Sequence, residues 1–176
     1  METILIIPGL HNSPPSHWQT WFENTLPGTR RVEQADWERP CLVEWTARVQ
    51  EEIAAQSAPV WIIAHSFGCL AAVRAGFVSA KCIRGALLVA PANPDRFDEP
   101  AELLEQGLAF PSLLIASNTD PWVESSVARY WAGVWGSRYR NIGDAGHINV
   151  ESGFGPWPEG LGFFEELRHE VLPLRG

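Results

Sequence analysis

Little in this sequence points toward export, metal storage or nucleic acid. Only three cysteines occur among 176 residues, Cys41, Cys69 and Cys82, and no C-x-x-C spacing joins them. A disulfide scaffold and a cysteine-based metal site are therefore excluded, and three reduced, mostly buried thiols of a cytoplasmic protein are expected. No run of lysine or arginine breaks an acidic balance of 13 basic against 21 acidic residues, a formal charge of -8. Polyanions and anionic membrane surfaces are poor partners for such a chain. The opening apolar stretch, Ile4 to Ile7, is too short for a signal peptide or a membrane span. Internal repeats, low-complexity tracts and Ser/Gly linkers are also missing, so a single domain over 1–176 is expected. Neither G-x-G-x-x-G nor G-x-x-x-x-G-K-[ST] follows the first strand, which removes the phosphate cradle that a nucleotide or flavin protein needs.

What the chain does have is alternation. Ile4 to Ile7, Val60 to Ala64, Ile83 to Ala90 and Leu113 to Ser117 are apolar runs ended by turn residues, with weaker strands at Arg31 to Gln34 and Arg138 to Ile142. Between them lie helical patterns at Ser16 to Leu26, capped by Ser16, at Leu42 to Gln56, Cys69 to Phe77 and Val123 to Trp135, and finally at Glu159 to Val171. Strands alternating with helices predict an α/β protein, a mostly parallel sheet in a three-layer α/β/α sandwich. The polar, proline-punctuated segment from Ala92 to Pro111, with one short helix near Ala101 to Gln106, is the longest connection and a candidate pocket rim.

The sharpest local signal is Ala64-His65-Ser66-Phe67-Gly68 at a strand-to-helix junction. A serine held on a tight turn needs small residues two before and two after it, and here these are Ala64 and Gly68. The following helix points its amino terminus at the site, and the amide of Phe67 can donate to an oxyanion. A serine hydroxyl also needs a base, and the base needs a third group to fix its tautomer. Of the five histidines, His147 sits in a glycine-bearing loop after the last strand; His65 and His169 read as structural or solvated, and His17 as a packing or capping residue within reach of the pocket. For the acid, Asp120 follows the strand Leu113 to Ser117 and is favoured over Asp144, because a partner from a separate strand end can approach the far ring nitrogen in line. Ser66, Asp120, His147 and the Gly9-Leu10 loop would then share one sheet edge, where ligands of open parallel sheets bind, and the Leu10 amide becomes the second oxyanion donor.

With those residues placed, the chain resembles the retinoblastoma-binding protein nine and YdeN-like serine hydrolase family over nearly its whole length. The markers are Ile-Pro-Gly-Leu-His-Asn-Ser-Pro-Pro-Ser-His-Trp at the start, Ala-His-Ser-Phe-Gly, Ser-Asn-Thr-Asp-Pro, and Gly-His-Ile-Asn through Gly-Phe-Gly-Pro-Trp-Pro. The resemblance implies a minimal α/β-hydrolase fold lacking the usual first two strands and a large lid, with Ser66, Asp120 and His147 at the triad positions. It implies an open site for small acyl esters or short amides; a monomer or small homo-oligomer acting on a small-molecule acyl substrate is expected. Pocket candidates are His11, Trp18, Trp122 and Trp157, each tryptophan being equally readable as core. The chemistry requires neither metal nor organic cofactor; the rival reading is a binding module that keeps the fold without turnover.

Overall fold

The chain alternates strand and helix as the apolar runs require. The structure, a computed structural model, describes residues 2–171. Strands β1 (Ile4–Ile7), β2 (Thr29–Arg31), β3 (Val60–His65), β4 (Ile83–Val89), β5 (Ser112–Ala116) and β6 (Arg138–Asn141) form one six-stranded sheet in the order β2-β1-β3-β4-β5-β6. All five pairings are parallel. Helices α1 (Trp18–Thr25), α2 (Leu42–Ala54), α3 (Phe67–Ser79), α4 (Ser125–Trp135) and α5 (Pro158–Val171) supply the crossovers and the closing element.

Side-chain alternation along the strands divides the core into two. Leu5 and Ile7, Ile62 and Ala64, Ala86 and Leu88, and Leu114 and Ala116 face α2, α3 and α4, where Trp45, Leu70, Trp131 and Trp135 complete the packing. Ile4 and Ile6, Trp61 and Ile63, Leu87 and Val89, and Leu113 and Ile115 face α1 and α5, closed by Trp18, Phe22, Trp157 and Phe164. Central strands are apolar at consecutive positions because both their faces are covered. The result is the α/β/α sandwich expected from the strand-helix alternation, with the loops at the strand carboxyl ends gathered on one edge.

Several boundaries differ from the sequence reading. The second strand is Thr29–Arg31 rather than Arg31 to Gln34. Buried Val32 is what draws the pattern late, yet only its amide continues the ladder, donating to the Ile6 carbonyl at 2.9 Å. Helix α1 is capped by His17 instead of Ser16: the His17 Nδ1 accepts the Gln19 amide at 3.1 Å. Helix α3 starts at once after Ser66, two residues before Cys69, since the turn leaves no room for a linker. Within 92–111 there are two single turns of 3₁₀ helix, Pro94–Phe97 and Ala101–Leu103, in place of one helix over Ala101 to Gln106.

Candidate active site

Ser66 sits between β3 and α3 with φ 52° and ψ -124°, a conformation a non-glycine residue adopts only when its surroundings enforce it. The enforcement is visible on both sides. The Ser66 amide donates to the Val89 carbonyl at 3.1 Å, and its carbonyl accepts the Ala92 amide at 3.1 Å. A β-carbon on Gly68 would lie 2.4 Å from the Pro8 carbonyl oxygen, and one on Gly9 would lie 2.8 Å from the Ser66 β-carbon. The end of β1 thus passes directly against the turn, which only glycine at both positions permits.

His147 and Asp120 arrive from the ends of β6 and β5. The His147 Nε2 lies 2.9 Å from the Ser66 Oγ, and its Nδ1 lies 2.8 Å from the Asp120 Oδ2. Carboxylate oxygens accept hydrogen bonds, so Nδ1 carries the ring proton and Nε2 presents its lone pair to the serine hydroxyl. The second carboxylate oxygen of Asp120 accepts the Trp122 amide at 2.9 Å, and only 1% of the side chain is exposed. Asp144, the rival acid, is exposed to solvent. Ser66, His147 and Asp120, distant in the chain, therefore meet in one hydrogen-bonded row.

The loops carrying the base and the acid are laced together by residues that the sequence did not single out. Ser117 Oγ accepts the Ala145 amide at 2.9 Å, Thr119 Oγ1 accepts the Gly146 amide at 3.0 Å, and the Asn118 amide donates to the Gly143 carbonyl at 2.8 Å. These bonds span 25–28 positions of sequence, and no local pattern announces them. Buried Gln19 does the same for the other bank, donating to the Ile7 carbonyl at 3.2 Å and the Ile63 carbonyl at 3.3 Å while accepting the Ser13 hydroxyl at 2.7 Å.

His65 is buried beneath the site, where its Nε2–H donates to the His147 carbonyl at 2.9 Å. Its ring lies 4.9 Å from that of His147 and 5.0 Å from that of His17. Burial holds the His65 imidazole well below the ordinary histidine range, and the neighbouring histidines add to the effect. Burial likewise pushes His17 down to about 4, with Arg31 and His147 adding repulsion. Two of the three clustered imidazoles are neutral near pH 7 and leave His147 to take up a proton without cationic neighbours of their making.

Above the row is a cleft of about 600 Å³, whose walls include Leu10, His11, Ser66, Trp122 and His147. The amides of Phe67 and Leu10 have no hydrogen-bond acceptor among the described residues. His11 and Asn12, at φ 65° and 64°, form the left-handed turn that follows Leu10. Of the pocket candidates, His11 and Trp122 line this cleft, and Trp122 is 54% exposed. Trp18 and Trp157 do not: they are 0% and 4% exposed and pack edge to face, 5.3 Å apart, in the core between α1 and α5. Both rings point into the core on the α1 and α5 face of the sheet, away from solvent. Trp18 still bears on the site, because its Nε1–H donates to the Ile148 carbonyl at 2.8 Å, next to the base. Asn93, Arg96, Asn149 and Glu151 are cleft residues that sequence reasoning missed, all within or capping single 3₁₀ turns too short to carry a periodic signal.

The fold recurs among known proteins. A family model described as serine hydrolase matches residues 4–166. A YdeN-like hydrolase from Pectobacterium atrosepticum superposes with a TM-score of 0.92 at 38% identity, over 98% of this chain and 94% of that one. The ydeN gene product of B. subtilis follows with a TM-score of 0.76 at 20% identity, covering 95% and 98% of the two chains. Est1E from Butyrivibrio proteoclasticus, solved with ferulic acid bound, gives 0.73 at 13% identity over 98% and 88%; these last two are likenesses of fold alone. No curated protein matches the sequence. Among the described residues, no helix is long and apolar enough to cross a membrane.

Proposed function

Because the chain belongs to the serine hydrolase family, we propose that it cleaves small esters or amides by passing the acyl group through an acyl-enzyme on Ser66. The observation that carries this reading is the position of His147, 2.9 Å from the Ser66 hydroxyl on one side and 2.8 Å from the Asp120 carboxylate on the other. His147 Nε2 takes the hydroxyl proton as Oγ bonds to the substrate carbonyl carbon. The carbonyl oxygen gains the displaced electron pair and is held by the Phe67 and Leu10 amides at the positive end of α3. One such donor is worth ~3 kcal/mol in the transition state. Collapse breaks the bond to the alcohol or amine, which leaves with the proton from His147. Water then attacks the acyl-enzyme, gives a proton to His147, and releases the acid as the proton returns to Ser66.

The small, open cleft favours a short acyl group over a long lipid chain. We place the protein in the cytoplasm, a reading supported by three free cysteines, one of them exposed. The retinoblastoma-binding protein nine side of the family resemblance rests on the sequence motifs; the structural likeness supports the YdeN side.

The test is a panel of short-chain p-nitrophenyl esters, aminoacyl amides and lactones against wild type and Ser66→Ala. Expected is saturable hydrolysis with a pre-steady-state burst for at least one class, lost by at least 10³-fold in the variant. Folded protein that turns over none of them would favour the binding-module reading.

A further inference from the structure

Resting on the Ser66 hydrolase reading, we propose that Arg96 makes the site selective for substrates that carry a negative charge, a carboxylate on either the acyl or the leaving-group side of the scissile bond. Arg96 belongs to the turn Pro94–Phe97, and this turn is fixed to the nucleophile at both ends. At one end the Ala92 amide donates to the Ser66 carbonyl at 3.1 Å. At the other, the Phe97 ring packs 4.8 Å from that of Phe67. The Asn93 side chain caps the turn by accepting the Asp95 amide at 3.2 Å. An arginine on such a turn is held beside the reacting serine rather than left on a wandering loop.

Its charge is not consumed within the protein. Most arginines of this acidic chain are spent on carboxylates, Arg31 on Glu23, Arg140 on Glu166 and Arg168 on Glu165 among them. Arg96 has no carboxylate within 4.0 Å among the described residues, although it lines the cleft that contains Ser66. Its guanidinium instead lies 6.0 Å from the ring centroid of Trp122, whose amide is bonded to the Asp120 carboxylate. A guanidinium over an aromatic face keeps its outward N–H fork free to take a carboxylate.

The opposite bank has the opposite sign. Glu151 lines the same cleft from the turn after Ile148, and Ile148 packs in the core on the α1 and α5 face, whereas Phe97 packs on the α2 and α3 face. An anionic group is drawn toward Arg96 and repelled from Glu151, so the pair also fixes which way round the substrate lies. Exposed Trp122 and Val150 on the rim add an apolar surface for the substrate's uncharged body.

Two matched pairs of esters test this. In the first, p-nitrophenyl hemiglutarate is compared with p-nitrophenyl butyrate, placing the charge on the acyl side; in the second, 4-acetoxybenzoate is compared with its methyl ester, placing it on the leaving group. Expected is a kcat/KM ratio favouring the anionic member in at least one pair. The ratio should fall about tenfold in Arg96→Gln, rise in Glu151→Gln, and stay constant in Arg129→Gln, a charge change on α4 remote from the cleft. Raising the ionic strength should shrink the wild-type preference. Equal or inverse preference in both pairs overturns the proposal, and so does a preference that survives Arg96→Gln. If folded wild type cleaves no ester and takes no fluorophosphonate label, the hydrolase reading itself has failed and the selectivity with it; labelling without charge preference overturns the selectivity alone.

Discussion

The side chain of His65 donates from Nε2 to the main-chain carbonyl of His147 at 2.9 Å, so the residue beside the nucleophile holds the backbone of the base. Ser66 and His147 are thereby joined twice, once through the serine hydroxyl and once through this bond from the adjacent residue. The two links set the imidazole position from both its tip and its root. Geometry of this kind matters for rate, because a displacement of about 1 Å at a reacting group can cost on the order of a hundredfold.

His65 is accordingly a positioning residue. His65→Leu should lower kcat by roughly tenfold to a hundredfold with little change in KM, since no substrate contact is removed. His65→Gln, whose amide N–H can reach the same carbonyl, should recover most of the loss. A Gln variant as impaired as Leu at equal thermal stability would show that the bond does not position the base.

Asp120 and Asp144 separate cleanly. Asp120→Asn presents an amide where the ring N–H requires an acceptor and should reduce kcat by about 10³ to 10⁴ with the fold intact. Asp144→Asn, at an exposed position, should remain within about twofold of wild type. Steady-state kinetics on one ester decides between them, and the reverse ranking would move the acid to position 144.

Stability should fall with acid before the carboxylates are protonated. His17 is neutral when folded, with its pKa pushed down to about 4 by burial and then by Arg31 and His147, against about 6.5 in an unfolded chain. The unfolded state therefore binds more protons between these values. Its contribution is complete above pH 6.5 and is lost as pH falls toward 4, roughly 3 kcal/mol in all. Buried His65, also held well below its ordinary range, extends the loss further down. Urea unfolding between pH 7 and 4 should show a shallower decline for His17→Asn, which keeps a capping side chain. An unchanged slope would contradict the assignment.

Two glycines should respond to alanine with opposite signs. On Gly68 a β-carbon would meet main-chain carbonyl oxygens of Pro8 and Ile7 at 2.4 and 2.5 Å, and β1 cannot retreat without leaving its ladder with β3. The expected loss is about 3 kcal/mol or more, together with activity. Gly133, near the end of α4, has nothing within 4 Å of the same point, so Gly133→Ala should stabilise by about 0.5 to 1 kcal/mol. Denaturant midpoints of the two variants provide the check.

Where the sequence was readable, one physical rule acted alone. The β1 bounds are those the apolar run Ile4 to Ile7 dictates, because nothing but burial on both faces is needed to make that strand. The turn at Ser66 is equally legible: small residues at 64 and 68 have one steric reason to be there. Legibility ends where side-chain direction matters. Trp18 and Trp157 stand near site loops in the chain, but the sheet face each one points to follows from packing with Phe22 and, for Trp157, Phe163, which no local pattern reports. The short edge strand Thr29–Arg31 has only one covered flank and alternates weakly, so buried Val32 misplaces it. Gln19, Ser117 and Thr119 act through hydrogen bonds to distant main chain, and Arg96 through a charge left unpaired; neither property exists until the chain has folded.

The most direct measurement is peptide mapping by mass spectrometry after treatment of the folded protein with a fluorophosphonate. Expected is a single phosphonyl adduct on Ser66, formed at a rate that falls by orders of magnitude in His147→Ala and absent from Ser66→Ala. An adduct on another residue, or unlabelled wild type with the fold intact by circular dichroism, would contradict nucleophilic catalysis by Ser66.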